Sequence, residues 1–247
     1  MASEALTPFL SWDYLAIALV VFIGAGLQGA GGIGFGMFVG PTLALWHPEL
    51  VPGPVLVLAG LLSLMSAWRE RRDIDFPVLG YSLAGRVPAS IAGGALFALL
   101  PLRAMSIVFA LLILSAVALS VRGWRVAARP QNFVIAGAIS GFMGTITSVG
   151  APPMALVYQD FRPAQLRATI AAFFVAGAVG SLAVLAAVGR FGAAELRIGL
   201  TLAVPMMLGF AASNLVVDRI DRRRMRSTIL AMSALSALGL LGLQLRG

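Results

Sequence analysis

Apolar residues run along this chain in long blocks, separated by short stretches that hold nearly all of its charge. The blocks are Leu10–Leu45, Val51–Trp68, Phe76–Leu100, Ala104–Val121, Phe133–Tyr158, Ala168–Val188, Leu196–Val217 and Ile229–Leu245. About 20 apolar residues suffice for a helix to cross the hydrocarbon core of a bilayer, so most blocks predict one spanning helix each. Two do not fit that rule. Leu10–Leu45 is too long for one straight helix and is interrupted by Gly24, Gly26, Gly29, Gly31, Gly32, Gly34 and Gly36. Phe133–Tyr158 is interrupted by Gly144-Thr145-Ile146-Thr147-Ser148-Val149-Gly150-Ala151-Pro152-Pro153. Glycine is common where membrane helices touch, but packing motifs space it at four residues. Clustered Gly, and Gly followed by Pro-Pro, break a helix instead. Each break is followed by a short apolar half-helix.

The two broken blocks occupy matching places in two halves of the chain. Gly26-Leu27-Gln28-Gly29 parallels Gly141-Phe142-Met143-Gly144, and Val87-Pro88 parallels Val204-Pro205. We read two repeats, 10–121 and 131–246, offset by about 115 residues, inside one transmembrane domain spanning 1–247. Interrupted segments at corresponding positions of two halves are the best sequence pointer to a transporter's binding site.

Composition agrees with the blocks: 60% of the 247 residues are hydrophobic and 11% charged. A soluble domain carries about 25% charged residues. Every one of the 18 basic residues is Arg, and their distribution bears on topology. If all eight blocks cross, the loop Arg divide almost evenly between the two sides. If the broken blocks are re-entrant, thirteen Arg (Arg69, Arg71, Arg72, Arg122, Arg125, Arg129, Arg162, Arg167, Arg219, Arg222, Arg223, Arg224, Arg226) share one side and four (Arg103, Arg190, Arg197, Arg246) the other. The second arrangement satisfies the positive-inside rule. It gives each half three crossings and the halves opposite orientation. The fold class predicted is therefore all-α polytopic, an inverted repeat of one broken or re-entrant segment plus three spanning helices per half. The net charge of +8 reflects these loop signals; nucleic-acid binders need a basic face or stripe, and no nucleic-acid partner is expected. The first residues lack the positive start of a signal peptide, so the first apolar run is expected to be retained.

The chain has no Cys and one His, His47, in a connection, and its ten acidic residues lie in or near loops. An intramembrane enzyme needs a nucleophile with a base, or a metal set, so no catalytic residue, metal or cofactor is expected. Arg86 stands out: it lies about ten positions into the Phe76–Leu100 block, where a charge costs at least about 2.5–3.5 kcal/mol and marks a functional site by default. Its planar fork suits a sulfonate or carboxylate; the bland alternative is an Arg that caps carbonyls freed near Pro88. A helix that starts mid-membrane presents unpaired N–H groups and a positive dipole end to anions. Gly31, Gly32, Gly34, Gly150 and Pro152 lie at such starts, and Gln28, Thr145, Thr147 and Ser148 add side-chain donors. Arg167 is a weaker candidate that serves equally as an interfacial anchor.

The run Gly26-Leu27-Gln28-Gly29-Ala30-Gly31-Gly32-Ile33-Gly34-Phe35-Gly36 with Pro41-Thr42-Leu43, the second-half run Gly144–Pro153, and Arg167-Ala168-Thr169 resemble the signatures of the sulfite exporter TauE/SafE family. The resemblance covers nearly the whole chain, with one departure at Ala151, where a further Gly is usual. It implies a secondary transporter, generally an exporter, of sulfite, organosulfonates or related sulfur or carboxylate anions in a bacterial cytoplasmic membrane. The expected partners are the small anion and the lipid bilayer, with a homodimer left open. A passive anion channel remains an alternative function, and an intramembrane enzyme a weaker one.

Overall fold

A computed structural model of the chain describes residues 11–31, 34–122, 124, 126–216 and 222–246. Leu10, Gly32, Ile33, Arg125, Val217 and Arg219, all named above, lie outside the described residues. Eleven α-helices and no strand are found among the described residues. The first half holds α1 (Trp12–Gly31), α2 (Phe35–Trp46), α3 (Gly53–Arg69), α4 (Phe76–Leu99) and α5 (Leu102–Arg122). The second holds α6 (Pro130–Thr147), α7 (Ala151–Val157), α8 (Pro163–Ala187), α9 (Ala193–Thr201), α10 (Ala203–Val216) and α11 (Arg222–Arg246). Six stretches are long and apolar enough to cross a membrane: Trp12–Gly31, Phe76–Leu99, Arg103–Arg122, Pro163–Ala187, Ala193–Ser213 and Met225–Gln244.

Helix ends follow local chemistry. Asp75 caps α4 by accepting from the N–H of Val78 at 3.1 Å, and Pro occupies the first turn of α3, α4, α6, α7 and α8, where its missing donor costs nothing. Gly189, at φ +71°, closes α8: its own N–H reaches Ala186 O and that of Arg190 reaches Leu185 O, the paired bonds of a Schellman cap.

Prolines inside helices free the carbonyl four residues earlier, and in lipid each such group needs a new donor. Pro41 frees Met37 O, which accepts from Ser233 Oγ of α11. Pro205 frees Thr201 O, which accepts from Tyr14 Oη at 3.1 Å. There the helix also breaks, into α9 and α10 at Leu202, so the single block Leu196–Val217 expected from hydropathy is two helices. The equivalent Pro88 sits within an unbroken α4.

Helices in both halves cross at small residues. α4 packs on α6, with Gly85 against Val134 O, Gly137 against Ser82 O and Gly93 against Phe142 O; a Cβ at any of these would overlap or crowd the facing backbone. α1 packs on α10 in the same way, with Gly209 against Phe22 O and Gly29 against Ser213. α3 packs on α8 and α5 on α11. α7 runs back along α6, bringing Phe133 and Tyr158 to 5.2 Å between ring centroids. α1 runs alongside the end of α9 and then α10, from Tyr14 at Thr201 to Gly29 at Ser213, and α2 follows α11 from Gly34 at Ile229 to Leu45 at Gly239. The four Trp are exposed at helix ends or just beyond one: Trp12 and Trp46 bound the α1–α2 unit, Trp68 ends α3 and Trp124 follows α5. Trp at these positions is what a membrane–water interface selects.

Candidate functional site

The two breaks meet in the interior. α1 ends at Gly31 and α2 starts at Phe35; α6 ends at Thr147 and α7 starts at Ala151. Gly36 and Gly40 of α2 lie against the carbonyls of Ser148 and Thr147, and a Cβ on Gly36 would overlap Ser148 O. Gly34 has φ +141°, accessible in practice to Gly alone, and Ser148 takes the left-handed conformation at φ +61°. Ser148 Oγ donates to Pro52 O at 3.1 Å, which ties the second break to the chain that precedes α3.

A cavity of about 40 Å³ lies at this junction. Its walls are Gln28, Gly34, Gly36 and Met37 from the first break, Gly144, Ser148, Val149, Gly150 and Ala151 from the second, Leu56, Ala59 and Ser63 of α3, Arg86 of α4, and Phe174 and Ala178 of α8. At about 10–15 Å³ per water centre it has room for roughly three water-sized groups, the size of a small oxyanion.

Arg86 is 3% exposed. Its Nη1 donates to Ser140 Oγ at 3.2 Å, and Ser140 Oγ donates in turn to Gly150 O at 2.6 Å, so the guanidinium is linked to the second break. Its Cζ lies 4.7 Å from the Phe173 ring centroid and 5.8 Å from that of Phe174, within cation–π range. It passes flat over α8 at Gly177, where a Cβ would overlap the guanidinium. Its Nε is buried without a hydrogen-bond partner. The ion pairs found among the described residues do not include it.

The other residues anticipated from sequence divide into groups. Gln28, Gly34, Ser148 and Gly150 join Arg86 around the cavity. Gln28 accepts from Phe35 N–H through Oε1 at 3.1 Å, so it caps α2. Gly31 and Pro152 line a second, larger cavity next to the first. Thr145 Oγ1 is bonded to Gly141 O and Ser181 Oγ, and Thr147 Oγ1 to Met143 O and Val149 N; both are spent on helix and break. Arg167 lies apart from both cavities, its Nε at 2.9 and 3.1 Å from the two carboxylate oxygens of Glu70. Pro152 and Pro153 carry no N–H, so the start of α7 offers fewer donors than that of α2. Sequence reasoning missed Ser140, Phe173, Phe174 and Gly177. Their only signal is that small or aromatic residues recur at helical spacing, and nothing in it points to Arg86.

Compared with known families, residues 16–240 match the model for "Sulfite exporter TauE/SafE". The chain belongs to that family. It is a family of membrane transporters, and with six apolar helical stretches of spanning length among the described residues the protein is a multi-pass membrane protein. No curated protein and no solved structure matches it.

Proposed function

We propose that this TauE/SafE protein transports small oxyanions through the junction of its two broken segments, with Arg86 as the substrate's counter-charge. One observation carries the proposal: a guanidinium buried to 3% exposure, with no carboxylate paired to it among the described residues, forms a wall of an oxyanion-sized cavity. A buried charge without a partner is costly, and an arriving anion relieves that cost. Sulfite, sulfonates and related sulfur or carboxylate anions fit the family and the cavity. Export from a bacterial cytoplasm needs no coupling ion, because an anion leaving a negative interior gains about 2.3 kcal/mol per charge per 100 mV.

The inverted repeat belongs to the same proposal. Helix pairings support it, since they recur when α1, α2, α3, α4 and α5 are exchanged for α6, α7, α8, α10 and α11. Thus α4 on α6 answers α10 on α1, α2 on α11 answers α7 on α5, and α4 on α8 answers α10 on α3. The return of α7 along α6 supports re-entrance of the second break. On this arrangement the halves rock about a shared site, as in other inverted-repeat transporters.

The test is binding of sulfite and methanesulfonate to purified protein. Arg86→Gln removes one partner of the buried pair and is expected to cost about 2–5 kcal/mol of affinity. Arg86→Lys keeps the charge without the fork and is expected to lose less. Affinity that holds in both variants while thermal stability falls would make Arg86 a structural residue.

A further inference from the structure

The second cavity, about 380 Å³, borders the first: Gly34, Met37 and Ala151 line both. It opens between α7 and α11, beside the last turn of α5. Its walls are largely apolar, formed by Pro152, Ala155 and Leu156 of α7 and by Ile229 and Leu230 of α11. Ala155 and Leu156 are partly exposed, while Pro152, Pro153, Met154 and Val157 are buried. The polar groups sit at the rim, where Arg226 donates to Ser120 O and Gln159 Nε2 donates to Trp124 O at 2.7 Å. A small charged chamber thus adjoins a larger apolar one across a neck that includes Met37 and Ala151. Water alone is a poor occupant of such apolar walls, because a water needs two to four polar partners.

We propose that the larger cavity is a subsite for the apolar substituent of the transported anion. The chain then takes oxyanions that carry a short hydrocarbon tail, with the head at Arg86 and the tail between α7 and α11. This rests on the transport site proposed above and adds to it a determinant of selectivity. Ala151 and Met37 at the neck bound the width of the group that joins head to tail.

Purified full-length protein is titrated with methanesulfonate, butanesulfonate and hexanesulfonate as probes. Burial of a methylene is worth about 0.8 kcal/mol, or roughly fourfold in affinity, so butanesulfonate is expected to bind at least about tenfold more tightly than methanesulfonate. Ala155→Phe and Leu156→Phe fill the cavity and should each bring that ratio toward one. Leu156→Ala, which removes wall without adding bulk, should lower it less. The ratio is taken within each variant, so a change in overall affinity does not affect it. A wild-type ratio below about threefold overturns the proposal, as it would if a lipid acyl chain held the cavity. A high ratio that all three variants leave intact also overturns it, since the tail must then lie elsewhere. If methanesulfonate binds and the ratio is flat, the transport site stands and the tail subsite falls. Failure of all three probes to bind overturns both.

Discussion

Gly177→Ala places one methyl group where the Arg86 guanidinium now lies against α8. The added Cβ would overlap Nε, Cζ and Nη2 of Arg86, so the guanidinium must move. Displaced, it loses the 3.2 Å bond to Ser140 Oγ, worth about 1.5–3 kcal/mol because one partner is charged, and the contact with the Phe173 ring, worth about 0.5–2 kcal/mol. Overpacking of a tight site costs about 1–3 kcal/mol. Against this, Ala is favoured over Gly in a helix interior by about 1 kcal/mol, and the end of a side chain yields more easily than backbone. The expected net loss of folding stability is therefore at least about 2 kcal/mol. Affinity behaves differently. A hydrogen bond to a charged group contributes about 1.5–3 kcal/mol, so losing one from guanidinium to anion weakens binding at least about tenfold. Calorimetric titration with sulfite or methanesulfonate and thermal unfolding of the same detergent-solubilised sample measure the two quantities separately. Affinity within twofold of wild type, whatever the change in stability, would refute the reasoning: the anion would not depend on where this guanidinium lies.

Three further outcomes are expected. Gly36→Ala forces a Cβ onto Ser148 O and should abolish transport, measured as anion flux in proteoliposomes, while the protein still inserts in the membrane; Gly80→Ala, which meets nothing within 4 Å, should leave flux unchanged. Because the chain has no Cys, single cysteines report topology without background: those at Arg72 and Arg129 should label from one side of intact cells and those at Glu49 and Arg190 from the other, and labelling of Glu49 and Arg190 from opposite sides would sink the inverted repeat. Arg167→Ala breaks a partly exposed ion pair with Glu70 and should cost at most about 1 kcal/mol of stability, with anion affinity within twofold in the titration assay.

The sequence determined what can be read from periodicity and from the cost of placing groups in lipid. Length and apolarity of the blocks required spanning helices, and clustered Gly with Pro-Pro required breaks, because neither effect depends on neighbours. Among the described residues the helices are interrupted only toward the end of each run, at Gly34 and between Thr147 and Ala151. Gly24, Gly26, Gly29 and Gly31 continue α1 and Gly144 continues α6, because a glycine in a packed helix is tolerated where its neighbours hold it. Arg86 was conspicuous because a charge in an apolar block is expensive whatever surrounds it. Tertiary structure decided which groups meet, because that depends on helices distant in the chain. It brought Ser140 and Gly177 to Arg86 from α6 and α8, joined Thr145 to Ser181 of α8, and paired Arg167 with Glu70. The prolines show the same division. Pro41, Pro88 and Pro205 each remove one backbone bond by covalent structure alone. Whether the helix then breaks, as at Leu202, or continues, as through Pro88, is not written in the local sequence, and the hydroxyls that repair Met37 O and Thr201 O come from Ser233 and Tyr14, 196 and 187 residues away.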